Sequence, residues 1–319
     1  MVFISFTVIA YNEERNIGRL LDSIAAQDGL DEYEYEIVVV NDHSADATAE
    51  IVRATAEALP QVKLIDLPEN RGRGHARMTA IGAAQGKLIA TVDADMVLPP
   101  HWLATCLAEL DGYDAVGGIA VPDGDAAFIY SHLHLEPRTV AHTMTLTGNN
   151  ALYRREVFDH AHFDPNLREG EDVAFNYAID SQDTRTRMIE GLLVRHEESK
   201  HYGESLAFLF STGSGASRQL LRYREIRLPD KAYAGFIACL VVGVALAPIQ
   251  PLALLIPLLY IVLSAAMHVY TRFVLTPRRI LACAAAISVD STMLLAYYVG
   301  RTVGMLKGFD PKWRRAPIG

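Results

Sequence analysis

Residues 232–269 are almost wholly apolar, far too long and too apolar a run for a surface element. At 1.5 Å per helical residue it is about twice the length that one bilayer span requires. Pro248-Ile249-Gln250-Pro251 interrupts it near its middle. A helical hairpin is therefore predicted, about 232–248 and 252–270, with the proline pair at the turn. A third apolar stretch, 280–299, carries Asp290 within it and either spans the bilayer or lies re-entrant or interfacial. Residues 232–306 thus read as a transmembrane region and 307–319 as a basic tail. Arg222, Arg224, Arg227 and Lys231 precede the hairpin, and Arg272, Arg278 and Arg279 follow it. The positive-inside rule places both flanks in the cytoplasm. Residues 204–231, with apolar and small residues and a basic end, read as an amphipathic connector along the bilayer surface.

Before that connector the chain has a different texture. Residues 1–10 are apolar but too short to span, and they lack a basic leader and a small-residue cleavage site. They predict a buried first strand, with the domain that follows in the cytoplasm. Strand-like runs at 3–10, 36–40, 62–67 and 88–92 alternate with helical spacing at 12–26, 46–59 and 75–84. This order predicts an α/β fold with a doubly wound, mostly parallel sheet over residues 1–203. Ligands of such sheets bind outside the carboxyl ends of the strands. Three polar stretches lie there: Tyr11-Asn12-Glu13, Asn41-Asp42-His43-Ser44 and Asp93-Ala94-Asp95.

The formal net charge of −9 argues against a nucleic-acid partner, which would need a basic face. Cys106, Cys239 and Cys283 are far apart and show no paired or zinc-ligand spacing, so they read as reduced and structural.

Asp93-Ala94-Asp95 is the centre of the chemistry. Two carboxylates one residue apart at a strand end can face one cleft, and Mg2+ or Mn2+ takes such oxygens together with substrate phosphates. Alone, the triplet is a weak signal, since such triplets arise by chance in many chains. Asp42 is placed to accept from a nucleobase N–H, or else is a turn residue; Ser44 reads as a turn or cap residue. Glu13 either meets a ligand or supplies charge to a first helical turn. The loop from Glu69 to Arg77 (ENRGRGHAR) can present N–H groups and guanidinium ions to phosphate, or be plain surface. Glu171-Asp172 opens a helix; a carboxylate there either stabilises that end or accepts a proton from a hydroxyl. His196 follows an apolar run and is either structural or a metal ligand.

In this order and spacing, the pieces resemble the family-2 glycosyltransferases with the GT-A fold. The matching residues run from Thr7-Val8-Ile9-Ala10-Tyr11-Asn12-Glu13-Glu14 through Val40-Asn41-Asp42-His43-Ser44, Asn70 to Arg77 and Asp93-Ala94-Asp95. Thr147-Gly148-Asn149-Asn150-Ala151 and Gly170-Glu171-Asp172 complete the set, and the likeness spans about 2–201. It implies that Ala10, Tyr11, Glu13 and Asp42 hold base and ribose, with Arg77 near the base or phosphates. Asp93 and Ala94 would support the nucleotide, and Asp93, Asp95 and His196 the metal. Asp172, with Glu171 beside it, would be the catalytic base, and Gly148 and Asn149 would border the acceptor pocket. Gln219, Arg222 and Tyr223 resemble the interfacial Gln-x-x-Arg-Trp of processive polysaccharide synthases, with Tyr for Trp, and are expected on the acceptor side. The second-strand motif departs from the family's pair of acids, leaving Asp42 alone.

The resemblance implies inverting transfer from a UDP- or GDP-sugar to a lipid, lipid-linked or surface-polymer acceptor at the membrane, with Mn2+ or Mg2+ as cofactor. Two rivals remain open. A sugar-phosphate nucleotidyltransferase would carry a glycine-rich loop where this chain has Ala10-Tyr11-Asn12-Glu13. A membrane-anchored nucleotide-sugar-binding scaffold would need neither Asp95 nor Asp172.

Overall fold

The computed structural model describes residues 3–123, 136–137, 146, 148–167, 170–180, 183–197, 202–224, 226–274 and 280–308. The chain divides into two compact units, the first mostly Met1–Gly124 with Ala141–Glu198, the second Asp125–Val140 with Ser199–Ala316.

In the first unit, β1 (Phe3–Ala10), β2 (Glu34–Asn41), β3 (Val62–Asp66) and β4 (Leu88–Asp93) lie parallel in the order β3-β2-β1-β4. β1, β2 and β4 are continuous apolar runs because helices cover both faces of the sheet. Ile4, Phe6 and Val8 pack with Leu20, Leu21 and Ile24 of α1 (Ile17–Ala25) on one face. Ile9, Val38 and Val40 pack on the other with Ala76 and Ala80 of α3 (Arg73–Ala83). Between them in sequence comes α2 (Thr48–Ala58). Each large side chain buried in this way contributes about 1.5–3 kcal/mol.

Beyond β4 the sheet changes character. After β5 (Met96–Val97), α4 (Trp102–Glu109) and β6 (Ala115–Asp123), the chain leaves for the second unit, where β7 (Glu136–Pro137) lies. It returns as β8 (Asn150–Arg154), α5 (Val157–His160), α6 (Glu171–Asp180) and β9 (Thr186–Glu197). β8 is antiparallel to both β4 and β6, β9 is parallel to β6, and β5 is antiparallel to β9. Among the described residues the sheet thus has eight strands, in the order β3-β2-β1-β4-β8-β6-β9-β5. The parallel half carries the expected doubly wound pattern, and the other half is mixed.

The first helix begins at Ile17 and not at residue 12. Asn12 has φ +57°, in the left-handed region, and cannot continue a helix. Residues 12–14 instead stitch the turn after β1 to the turn after β2. Asn12 N donates to Ser44 Oγ (2.8 Å), Glu13 N to Thr48 Oγ1 (2.8 Å) and Ala45 N to Asn12 Oδ1 (2.8 Å). Ser44 is therefore a cross-link between turns, and α2 opens four residues later at Thr48.

In the second unit, α7 (Tyr202–Tyr223) is followed by α8 (Leu228–Leu246), a 3-10 turn (Pro251–Leu255), α9 (Ile256–Arg272), β10 (Phe273–Val274) and α10 (Ile280–Lys307). β10 pairs antiparallel with β7. Among the described residues three helical segments are long and apolar enough to cross a membrane: Leu228–Leu246, Pro251–Thr271 and Ile280–Lys307. The proline pair lies at the turn between the first two, where Pro251 opens the 3-10 turn. α7 and α10 approach closely at glycine. A Cβ on Gly213 would meet the Tyr297 carbonyl oxygen, and one on Gly300 the Phe210 carbonyl oxygen. Arg301, fully buried, pairs with Asp230 and donates to Tyr297 Oη (3.1 Å), its guanidinium over the Tyr233 ring.

Candidate active site

The first unit brings the three strand-end stretches together. Tyr11 follows β1 and is half exposed. Glu13 is partly buried and accepts from Asn16 Nδ2 (2.8 Å). Burial, and then the negative charge of Asp95, push its carboxyl up to about 7. After β2, Asp42 is buried, and its two carboxylate oxygens accept from Arg71 N and Gly72 N, each at 2.8 Å. It thus pins the basic loop to the sheet. Each oxygen keeps a second lone pair for a ligand.

Asp93 and Asp95 flank the end of β4, Ala94 between them being buried. Burial raises the Asp93 carboxyl above its ordinary range, against the pull of Arg77. Asp95 shows the opposite balance. Its burial is outweighed by the hydrogen bond with His196, and its carboxyl lies below the usual range. His196 reaches it because β5 and β9 pair with Met96 opposite His196, which brings Nε2 to 2.9 Å from Asp95 Oδ2. Asp95 Oδ1 is buried without a hydrogen-bond partner. Among the described residues no three His, Cys, Asp or Glu side chains form a ready metal cluster. A buried carboxylate oxygen left unpaired is costly, and carboxylate oxygens suit Mn2+ or Mg2+ in combination with phosphate oxygens, His196 being the softer neighbour. The residues fit the metal.

Arg77 lies at the centre of the site. It is buried, and its guanidinium donates from Nε to Glu171 Oε1 (2.9 Å), from Nη1 to Gly148 O (2.7 Å) and from Nη2 to Asp93 Oδ1 (2.7 Å). Phe163, stacked on Phe175, lies 5.4 Å from the guanidinium carbon. Glu171 is buried, burial raises its carboxyl above the ordinary range, and its Oε2 has no hydrogen-bond partner. Gly170, with φ +71°, turns the chain into α6, so that Glu171 points inward and Asp172 follows it, partly exposed. A Cβ on Gly148 would lie 3.4 Å from Asp172 Cβ, so glycine keeps the space beside Asp172 open. Asn149 O accepts from Asp93 N (3.1 Å), and Asn149 Oδ1 from Asn150 Nδ2 (3.0 Å).

The remaining expected residues lie in the second unit or outside the described residues. Gln219 is in the second unit, buried, its Oε1 accepting from Arg227 Nη1 (2.8 Å). The side chains of Arg222 and Tyr223, and all of Thr147 and His201, lie outside the described residues. Arg73 entered the sequence reading only as part of the basic loop from Glu69 to Arg77, while Asn16 and Phe163 escaped it. Arg73 is exposed, and the carboxylates of Asp93, Glu171 and Asp95 raise its pKa despite the opposing cost of desolvation. Its spacing of four from Arg77 puts both on one face of α3 and was the available signal. Asn16 and Phe163 carried no signal of their own.

Comparison with known proteins agrees with this geometry. The family model described as Glycosyl transferase family 2 matches residues 5–171, just over half of the chain. The succinoglycan biosynthesis protein ExoO of Rhizobium meliloti (strain 1021) is 34% identical over 189 residues, covering 53% of each chain. The undecaprenyl-phosphate 4-deoxy-4-formamido-L-arabinose transferase of Pseudomonas fluorescens is 36% identical over 129 residues, 40% of this chain and 38% of its own length. The chain thus spans about half, or less, of the length of these curated relatives. Among solved structures, the mannosyltransferase PcManGT from Pyrobaculum calidifontis, in complex with GDP-Man and Mn2+, has a TM-score of 0.60 at 24% identity. That alignment covers 95% of this chain and 86% of that one, and it establishes the likeness of fold. With the family match running over more than half of its residues, the chain belongs to glycosyl transferase family 2.

Proposed function

We propose that this protein transfers a glycosyl unit from a nucleotide-sugar to an acceptor at the membrane, with inversion at the anomeric carbon. The observation that carries the reading is the gathering, within one unit, of Glu13, Asp93, Asp95 and His196 near the sheet's carboxyl edge. The first turn of α6 is tied to them through Arg77. Tyr11 offers a ring face to the base, and Asp42 holds the loop over which the diphosphate would lie. Arg73, exposed in the field of three carboxylates, is the phosphate-facing cation. Asp95 and His196, with Asp93 adjacent, would hold Mn2+ or Mg2+. Such a cation neutralises the charge that builds on a departing diphosphate. Asp172 accepts the proton of an acceptor hydroxyl as it attacks, and Gly148 and Asn149 border the space in which that acceptor lies. A direct displacement by the acceptor would convert an α-linked donor to a β-linked product.

The relatives supply the classes of substrate to be tried. The Pyrobaculum structure holds GDP-Man, and the Pseudomonas relative is named for an undecaprenyl-phosphate acceptor. The three long apolar helices of the second unit suit an acceptor carried on a lipid, with the catalytic unit on the cytoplasmic side. The test is a donor panel. Full-length protein in detergent, with Mn2+ or Mg2+, is given UDP- and GDP-sugars and either a polyprenyl phosphate or a lipid-linked saccharide. Release of nucleoside diphosphate that depends on the acceptor supports the reading. Nucleotide binding without turnover on any pair would favour a scaffold instead.

A further inference from the structure

We propose that Arg77 is a positioning residue that couples the metal-bearing strand end to the catalytic base, and not a contact for the donor. The inference rests on the function proposed above, and it departs from the resemblance, which puts Arg77 beside base or phosphates. Each of the three guanidinium nitrogens is already bonded to protein: Nε to Glu171, Nη1 to the Gly148 carbonyl and Nη2 to Asp93. The side chain is buried, with the Phe163 ring 5.4 Å from its centre. Pulling the guanidinium out to meet a phosphate would break its ion pairs with Glu171 and Asp93 and leave both carboxylates without their counter-ion. A buried charge left unpaired in this way is strongly penalised.

What Arg77 does instead follows from where its three partners sit. Asp93 is two residues before the proposed metal ligand Asp95. Glu171 is one residue before the proposed base Asp172, and Gly148 lines the space beside that base. One planar group with fixed donor directions thus sets the distance between the leaving-group side and the acceptor side of the reaction. Lysine's three N–H donors issue from one nitrogen and cannot reproduce a planar fork whose donors reach three separated acceptors. The exposed Arg73, one helical turn earlier on α3, is left to meet phosphate. The two arginines therefore divide the work.

The test compares Arg77→Lys, Arg77→Ala and Arg73→Ala in the full-length protein. Nucleoside diphosphate affinity is measured by calorimetry with Mn2+ present, and kcat is expressed per nucleotide-binding site, so that misfolded protein is not counted. Both Arg77 variants should lose at least about 10²-fold in kcat, with nucleotide Kd changed by less than about 3-fold. Millimolar guanidinium should restore part of the rate to Arg77→Ala and none to Arg77→Lys. Arg73→Ala should show the reverse split, with Kd weakened about 10-fold or more. A loss of nucleotide affinity in the Arg77 variants with kcat retained would overturn the inference and leave the proposed function standing. So would a kcat loss that guanidinium leaves untouched in Arg77→Ala. If the wild type turns over no donor at all, it is the proposed function that fails.

Discussion

Asp95 offers one oxygen to His196 and keeps the other buried and unpaired. Asp95→Asn keeps the shape and removes the charge. It should lower kcat by at least about 10²-fold, the scale of a lost Lewis-acid contribution. Calorimetric Mn2+ binding should weaken in parallel, and EDTA should silence the wild type; full activity in EDTA would remove the metal from the mechanism. Asp172→Asn makes a finer cut. With a hydroxyl acceptor, transfer should fall about 10² or more while donor Kd holds, because general-base catalysis is worth about that much. A phosphate monoester, by contrast, has its second pKa near 6 and arrives at neutral pH already able to attack. With a polyprenyl phosphate acceptor the same variant should lose little, so the size of the effect reports the class of acceptor. If Asp172 served only to stabilise a helix end, both acceptors would react at near wild-type rates. Glu13 gives a pH dependence. Its folded pKa, about 7, lies above the ordinary value of 4.5, so the folded state holds its proton more tightly than the unfolded chain. Its ionisation therefore costs stability progressively as pH rises from about 4.5 to about 7, by at most about 3 kcal/mol. Glu13→Gln should flatten that part of the melting-temperature profile in metal-free protein. An unchanged slope would mean that neither burial nor the charge of Asp95 raises the Glu13 carboxyl in the fold.

At the level of elements, the first turn of α3 and the segment before α6 hold one another. Gly74 N donates to Leu167 O (2.9 Å), and a Cβ at Gly74 would collide with the carbonyl oxygens of Asp164 and Leu167. Backbone cannot yield as a flexible side chain can. Gly74→Ala should cost about 1–3 kcal/mol, typical of overpacking, and should also reduce kcat, because the displaced segment leads into Glu171 and Asp172. A melting curve and a rate assay on the same variant check both. What the sequence reveals at this scale is uneven, for a physical reason. β1, β2 and β4 are legible as continuous apolar runs, and the acids after them by position, because both signals are local. The antiparallel insertion of β8 between β4 and β6 leaves no periodic trace in Asn150–Arg154. The partnership of Asp42 with Arg71 and Gly72 joins residues about 30 apart, and that of Arg77 with Glu171 joins residues 94 apart. No spacing rule reaches so far. The helix expected from residue 12 fails because Asn12 takes a left-handed turn in order to bond across to Ala45 and Ser44.

For the whole molecule, the three long apolar helices predict membrane association that neither salt nor alkali reverses. Washing membranes with carbonate should leave the protein in the pellet, and detergent should release it; recovery in the carbonate supernatant would contradict a spanning hairpin. The path of the chain has a further consequence. Between β6 and β8 it departs from the catalytic unit, and β7 at Glu136–Pro137 finds its partner in β10 at Phe273–Val274. A ribosome reaches that partner well over a hundred residues later, roughly 10 s at ordinary rates of synthesis. During this interval the nascent chain holds a loose end near the middle of its enzyme. Completion of the fold therefore waits on delivery of the apolar hairpin to the bilayer. Such timing would keep the transferase incomplete until its apolar hairpin has been made.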